Sequence, residues 1–330
     1  MHTLSVQRVD ELIAQCTGKR IAVIGDVMLD RYFWGSVHRV SPEAPVPVVD
    51  IVDESFHLGG ASNVANNLKS LGADPLMLGV VGDDNSGRTL TDILSGSGME
   101  TAGIIVDETR PTTVKTRIIG NNQQIARLDR EVKQPIGADV RGRLLEALEQ
   151  HANEICGIVL QDYNKGVITS ALISQTIKIA HRHGIAVFVD PKHENFFEYK
   201  SVTLLKPNIK ETQDALGIKI QSDEELHAAG RELLERLQCE HVLVTLGARG
   251  MMLFSQKGEP SSVKARARHV ADVSGAGDTV IATIAAAMAG GALMTEAATL
   301  ANFAAGVVCE EPGIVSIETD DLRRVIRQSE

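Results

Sequence analysis

Short apolar runs rich in β-branched residues recur along the chain with helical patterns between them, and this alternation leaves few folds open. Segments 19–26, 75–82, 157–163, 185–191, 202–208 and 241–247 read as buried strands bounded by Gly, Asp, Pro or Asn. Segments 61–71, 86–95, 139–154, 169–183 and 222–237 carry helical patterns. Such alternation predicts an α/β fold, a mostly parallel central sheet with helices on both faces. Ligands of these folds sit beyond the carboxyl ends of the strands. Two stretches break the rhythm. Residues 46–58 alternate apolar and polar, and 112–129 reads as a hairpin with strands either side of Gly120-Asn121. Alternation implies a sheet with one wet face. These stretches predict a small β-sheet lid, with segments 32–58 and 111–130 inserted in the α/β core; an antiparallel extension of the main sheet is the other reading. With no repeat, low-complexity tract or long linker, residues 1–330 are expected to form a single domain.

Composition narrows the partners. Area scaling for 330 residues gives roughly 51,000 Å² unfolded and about 13,000 Å² folded, enough burial for a substantial core. The 33 basic and 43 acidic residues leave a formal charge of −10, which disfavours nucleic acid and anionic membrane as partners. Aromatics are only 3%, too few for a single-strand stacking platform. Cys16, Cys156, Cys239 and Cys309 are dispersed and form no metal or disulfide pattern, which predicts a cytoplasmic setting. The apolar stretch 280–294 is Ala-rich and broken by Gly290-Gly291, so a buried helix is expected there rather than a membrane span.

The segment 272–278, DVSGAGD, opens directly into an Ala-rich helix. Gly275, Ala276 and Gly277 have little side chain, so several backbone N–H groups can face one oxyanion, and the helix N-terminus adds a favourable dipole. Asp278 would place a general base beside that anion hole, an arrangement suited to phosphoryl transfer. An Asp cap after a Gly-rich turn is the plainer account of the same residues. A second glycine-rich segment, 82–89, has P-loop spacing, but Arg88 replaces the lysine and Asp83 and Asp84 would repel phosphates. No G-x-G-x-x-G follows the first strand and no histidine pair has metalloprotease spacing, which disfavours dinucleotide and zinc chemistry.

The 272–278 segment resembles the C-terminal signature of the ribokinase-like (PfkB) carbohydrate kinases, and 59–65, GGASNVA, resembles their N-terminal signature. The resemblance implies that Asp278 takes the proton of a sugar hydroxyl while the amides of Gly275, Ala276 and Gly277 hold the transferring phosphate. It implies sugar contacts for Asp30, Gly59, Gly60 and Asn63. Asn208 and Glu211 match the family's N-x-x-E, which orders Mg²⁺ near the ATP phosphates; they also suit an ordinary capping box. Thr245, Gly247 and Gly250 match a T-x-G-x-x-G that lines the nucleotide, and Asn302 falls near the adenine pocket. Asp272 and Ser274 match ligands of a monovalent cation such as K⁺ in many relatives.

Nearly the whole chain, including 25–35, 39–49, 113–131, 160–166 and 189–199, is similar to a subgroup that phosphorylates D-glycero-β-D-manno-heptose 7-phosphate. His193 departs from the subgroup's usual Gly. Many members continue into a nucleotidyltransferase domain, whereas this sequence stops at Glu330, so a stand-alone kinase or a fragment is expected. A sugar phosphate needs a cationic clamp, and Lys115, Arg117, Arg127, Lys165 and Lys192 lie in the subgroup-like stretches, each open also to a plain surface role. Gln124 and Asp162 are candidate hydroxyl partners. The expected function is ATP-dependent phosphorylation of the sugar C1 hydroxyl, with homodimerisation through an apolar lid face carrying Val46, Val48 and Ile51. A kinase for another sugar, and a non-catalytic sugar-phosphate sensor, remain open.

Overall fold

The structure is a computed structural model that describes residues 4–265 and 271–329. Its strands are β1 (Arg20–Gly25), β2 (Val27–Val40), β3 (Pro47–Gly60), β4 (Asp74–Val81), β5 (Ile104–Val106), β6 (Val114–Gly120), β7 (Gln123–Arg130), β8 (Ile155–Gln161), β9 (Ala186–Asp190), β10 (Leu204–Leu205), β11 (His241–Thr245), β12 (Met251–Ser255) and β13 (Ser261–Val263). The large sheet has the order β13-β12-β11-β10-β9-β8-β1-β4-β5, parallel from β11 to β5. Its antiparallel extension comes from β12 and β13, not from the alternating stretches. Those form a separate four-stranded sheet, β3-β2-β6-β7.

The buried strands have no polar face because both faces are covered. Ile21 and Val23 of β1 pack with the helices Val6–Cys16, Ala61–Ser70, Ala276–Ala289 and Met294–Cys309. Ala22 and Ile24 point oppositely, into the core beneath Ala138–His151, Ser170–His183 and Asp223–Leu237. Helix Ala276–Ala289 is buried from Asp278 to Ala287, which accounts for its unbroken apolar run. Among the described residues, no helix is long and apolar enough to cross a membrane.

Chain order along the large sheet reverses at β1, with β4 on one side and β8 on the other. The crevice at such a reversal is where α/β sheets bind ligands. The second sheet springs from this point: only Asp26 separates β1 from β2, so the second sheet starts earlier than the alternation suggests. Hairpin β6–β7 turns through Asn121 and Asn122, both in the left-handed region as a tight two-residue hairpin turn requires. The expected strand 202–208 is reduced to two paired residues, β10, before Pro207 removes an N–H donor.

Segment 82–89 is a capped helix start. The Asp84 carboxylate accepts from Gly87 N at 2.9 Å and Thr112 N at 3.1 Å. An acidic side chain thus occupies the place a phosphate would take.

Packing of the outer helix sets one stability test. Gly230 in Asp223–Leu237 faces Phe254, whose ring a Cβ would meet at 2.5 Å. Gly230→Ala should gain about 1 kcal/mol of helix propensity but lose about 1–3 kcal/mol to overpacking. A net fall of a few degrees in Tm is expected by calorimetry, and a rise in Tm would refute this account of the contact.

Candidate active site

Register brings polar groups together at the carboxyl ends of the central strands. Gly25 of β1 pairs with Gln161 of β8, and Gln161 pairs with Asp190 of β9. Lys206 follows β10 at the same level, since Leu205 pairs with Val189. Gln161, Asp190 and Lys206 are all buried. Lys206 Nζ lies 3.0 Å from Asp190 Oδ2, and Gln161 Nε2 donates to the same oxygen at 3.1 Å.

This row meets the start of helix Ala276–Ala289. Gly275 precedes the helix with φ +80°, the left-handed region that glycine adopts without strain. The loop's backbone is accessible at Gly275, Ala276 and Gly277, while Asp278 behind it is only 2% exposed. Its Oδ2 accepts from Asn63 Nδ2 at 2.9 Å. Its Oδ1 accepts from Gln161 Nε2 at 3.1 Å and from the Tyr163 hydroxyl at 2.7 Å. Among the described residues no salt bridge reaches Asp278. Burial therefore raises its carboxyl to about 6, with Asn63 and Tyr163 pulling it down and the Asp190 charge pushing it up.

The second sheet contributes the other wall. Asp30 is buried and ion-paired with Arg117 across β2 and β6. A Cβ on Gly59 would collide with the Asp30 carboxylate, so that position needs glycine. Gly60 ends β3 and leads into the helix that carries Asn63. Lys115 Nζ and Lys192 Nζ lie 5.3 and 5.6 Å from the centre of the Tyr163 ring.

A separate cleft of about 320 Å³ opens on the other side of the loop. Thr245, Gly247, Gly250, Gly277 and Asn302 line it together with apolar residues that include Val280 and Ala305. Asn302 Nδ2 donates to the Lys264 carbonyl at 2.8 Å. Asn208 and Glu211 form a capping box, and Glu211 also pairs with Lys192. Asp272 accepts from Ser274 N at 2.8 Å and Gly313 N at 3.2 Å, so both its oxygens shape the loop before the helix.

Some expected residues lie apart from this cluster. Asp162 is fully buried and accepts from Asn164 N, Asn195 Nδ2 and the Tyr199 hydroxyl, so its carboxylate is absorbed by the structure. Lys165 Nζ is 2.7 Å from Glu131. Gln124 and Arg127 are exposed on β7, where Arg127 pairs with Asp129. Sequence reasoning missed Gln161, Tyr163, Asp190 and Lys206; each stands at or just after a strand end, the one signal that could have found them.

A model described as pfkB family carbohydrate kinase matches residues 19–320. The curated Bifunctional protein HldE of Pelobacter propionicus is 46% identical over 295 residues, covering 89% of this chain and 60% of that protein. Its namesake from Geobacter sulfurreducens is 42% identical over 316 residues, covering 96% and 64%. The chain thus spans less than two thirds of the length of these relatives. Among solved structures, Arabidopsis thaliana ribokinase complexed with ribose and ATP aligns with TM-score 0.75 at 21% identity, covering 94% of this chain and 99% of that one. Phosphofructokinase-2 from Escherichia coli in complex with potassium aligns with TM-score 0.77 at 18% identity, with the same coverage. These two share the ribokinase-like fold. With the family match running from the first strand of the large sheet to beyond the Asp278 helix, the chain belongs to the pfkB family of carbohydrate kinases and is a phosphotransferase.

Proposed function

We propose that this chain is an ATP-dependent kinase for the C1 hydroxyl of D-glycero-β-D-manno-heptose 7-phosphate. The product would be the 1,7-bisphosphate, en route to ADP-heptose for lipopolysaccharide core. The carrying observation is one carboxylate, Asp278, set behind an accessible glycine loop with no cation bonded to it. The likeness to the heptose 7-phosphate subgroup, and the relatives named HldE, support the substrate. So do the lysines that flank Tyr163, which suit a sugar phosphate better than a neutral sugar.

In this reading Asp278 removes the proton from O1 as O1 bonds to the γ-phosphorus and the bond to the bridging oxygen of ADP breaks. Asp30, Gly59, Gly60 and Asn63 face the sugar. Lys115, Arg117 and Lys192 receive its 7-phosphate, with Gln124, Arg127 and Lys165 reaching it only if the second sheet closes as a lid. Such closure would exclude water. The amides of Gly275, Ala276 and Gly277 accept charge spreading over the γ-phosphoryl oxygens, aided by the helix dipole. Lys206 stands close to Gly277, where a Cβ would lie 3.6 Å from its Nζ, and adds positive potential there. The apolar cleft beside Val280 and Ala305 takes the adenine, with Thr245, Gly247, Gly250 and Asn302 around it.

Among the described residues, no group of three or more His, Cys, Asp or Glu could cage a metal. A nucleotide-borne Mg²⁺ needs only one or two carboxylates, with waters and phosphates completing its shell. Glu211 and Asn208 would hold it through water, and when bound it would supply charge neutralisation for the nucleotide phosphates. Asp272 and Ser274 would hold a monovalent cation behind the loop.

The outer face of the second sheet exposes Ile51, Phe56 and Leu128, and Val46 is exposed at its edge. Together with half-exposed Val48 these suit a homodimer formed lid to lid.

A substrate panel read by ADP release should select the heptose 7-phosphate. Because the base must be ionised, kcat/KM should rise with pH to a plateau, with a midpoint near 6. Asp278→Asn should lose at least ~10²-fold in turnover while still binding ATP. Preference for another sugar would correct the substrate, and near-wild-type turnover in Asp278→Asn would remove the base. Ala305→Trp should fill the apolar cleft and weaken binding of a non-hydrolysable ATP analogue at least ~10-fold by calorimetry; unchanged binding would move the adenine elsewhere. Light scattering at micromolar concentration should report a dimer that Leu128→Glu converts to monomer, and a wild-type monomer would end the lid-to-lid assembly.

A further inference from the structure

The chain has three tyrosines, and two have structural duties. Tyr199 donates its hydroxyl to Asp162, and Tyr32 stacks on Trp34 at 5.7 Å. The third, Tyr163, gives its hydroxyl to Asp278 Oδ1, at 2.7 Å the shortest of the three hydrogen bonds to that carboxylate.

The loop beneath this contact is tightly held. Buried Asp26, the single residue between β1 and β2, accepts from the backbone N–H of Tyr163 at 2.8 Å, Lys165 at 3.1 Å and Val167 at 3.1 Å. Asp162 accepts from Asn164 N at 2.8 Å, and Asn164 sits at φ +52°. Two buried carboxylates therefore fix the backbone that aims the phenol.

A carboxylate offers about four acceptor sites, two on each oxygen. Gln161 and Tyr163 fill both on Oδ1, and Asn63 fills one on Oδ2. One site remains, on Oδ2. We infer that Tyr163 is a positioning residue for phosphoryl transfer: its hydroxyl closes Oδ1 and reserves Oδ2 for the acceptor hydroxyl. This rests on the reading of Asp278 as the base. The charged groups facing the pair are Asp190, Lys206 and Lys192 from the β9 and β10 ends, Asp30 from β2, and Lys115 from β6. Tyr163 itself stays protonated, since burial and then the Asp278 charge hold its phenol well above the usual range.

The test is Tyr163→Phe, which keeps the ring beside the two lysines and deletes one hydrogen bond. The carboxyl ¹³C titration of Asp278, assigned by its absence from Asp278→Asn, should move up by about one pH unit, a tenfold gain in proton affinity, because a hydrogen bond to the ionised form is lost. The acid limb of kcat/KM for heptose 7-phosphate should shift upward by the same amount, while KM for ATP stays within about twofold. An unchanged ¹³C midpoint overturns the inference, as does a uniform fall in kcat without a shifted limb, the mark of a merely structural role. Near-wild-type turnover in Asp278→Asn would instead defeat the base reading, and the ¹³C midpoint would still judge the hydrogen bond by itself.

Discussion

A carboxylate buried without a cation is expensive, and the centre of this molecule is arranged around making one tolerable. Removing an ion from water costs several kcal/mol unless hydrogen bonds replace the lost hydration. Asp278 receives three, from Asn63 after β3, Gln161 at the end of β8 and Tyr163 just beyond it. These donors come from the helix that follows the second sheet and from the end of β8, so the carboxylate is ordered only if the large sheet, the second sheet and the Ala276–Ala289 helix are all in place. The compensation is partial. Asp278 and Asp26 both titrate near 6 in the folded protein, burial being the main cause. The unfolded chain gives up these protons near ~3.9, so the folded state binds more protons between about pH 4 and 6. Their contribution to stability falls as pH rises through that window. The site is thus a place where keeping carboxylates out of water lowers the stability of the fold.

The same constraint explains what could be read from the sequence. Buried parallel strands need both faces apolar, so β1, β4, β8, β9 and β11 announce themselves as β-branched runs. The Asp278 loop is legible because close approach of backbone to a ligand demands small residues in a row. The departure of β2 from β1 was not legible, because Val27, Met28 and Leu29 are as buried as the strand before them. No change in periodicity marks the point where the chain leaves one sheet for another; a single aspartate does. Nor could β12 and β13 be told from a loop edge, since antiparallel pairing leaves no separate mark on runs this short.

Individual site residues divide along a similar line. Asn63 and Asp278 lie inside local motifs whose spacing carries meaning. Gln161, Asp190 and Lys206 are joined only by register across three strands, which one-dimensional spacing does not contain. Asp26 and Asp162 show the ambiguity most directly. Both follow strands at the switch point, and either could face a ligand. In the structure Asp26 accepts from the Tyr163, Lys165 and Val167 amides, and Asp162 accepts from Asn164 N, Asn195 and Tyr199, so both carboxylates already hold protein donors around the segment that carries Tyr163.

Charge around the crevice follows from the acidic balance of the chain. Lys206 is matched by Asp190, Arg117 by Asp30, Lys192 by Glu211 and Lys165 by Glu131. Paired cations in a partly buried wall keep their geometry without presenting a strong positive field that would trap any passing anion. Lys115 differs. It makes no salt bridge among the described residues, lies over the Tyr163 ring, and its ammonium is destabilised chiefly by burial. In the proposed reaction a phosphate arriving there relieves an existing electrostatic cost, whereas at Lys192 or Arg117 it must share a cation with a resident carboxylate. Under that proposal, selection of a phosphorylated sugar over a neutral one would fall mainly to the cation that lacks a carboxylate partner, with the paired cations fixing the pose.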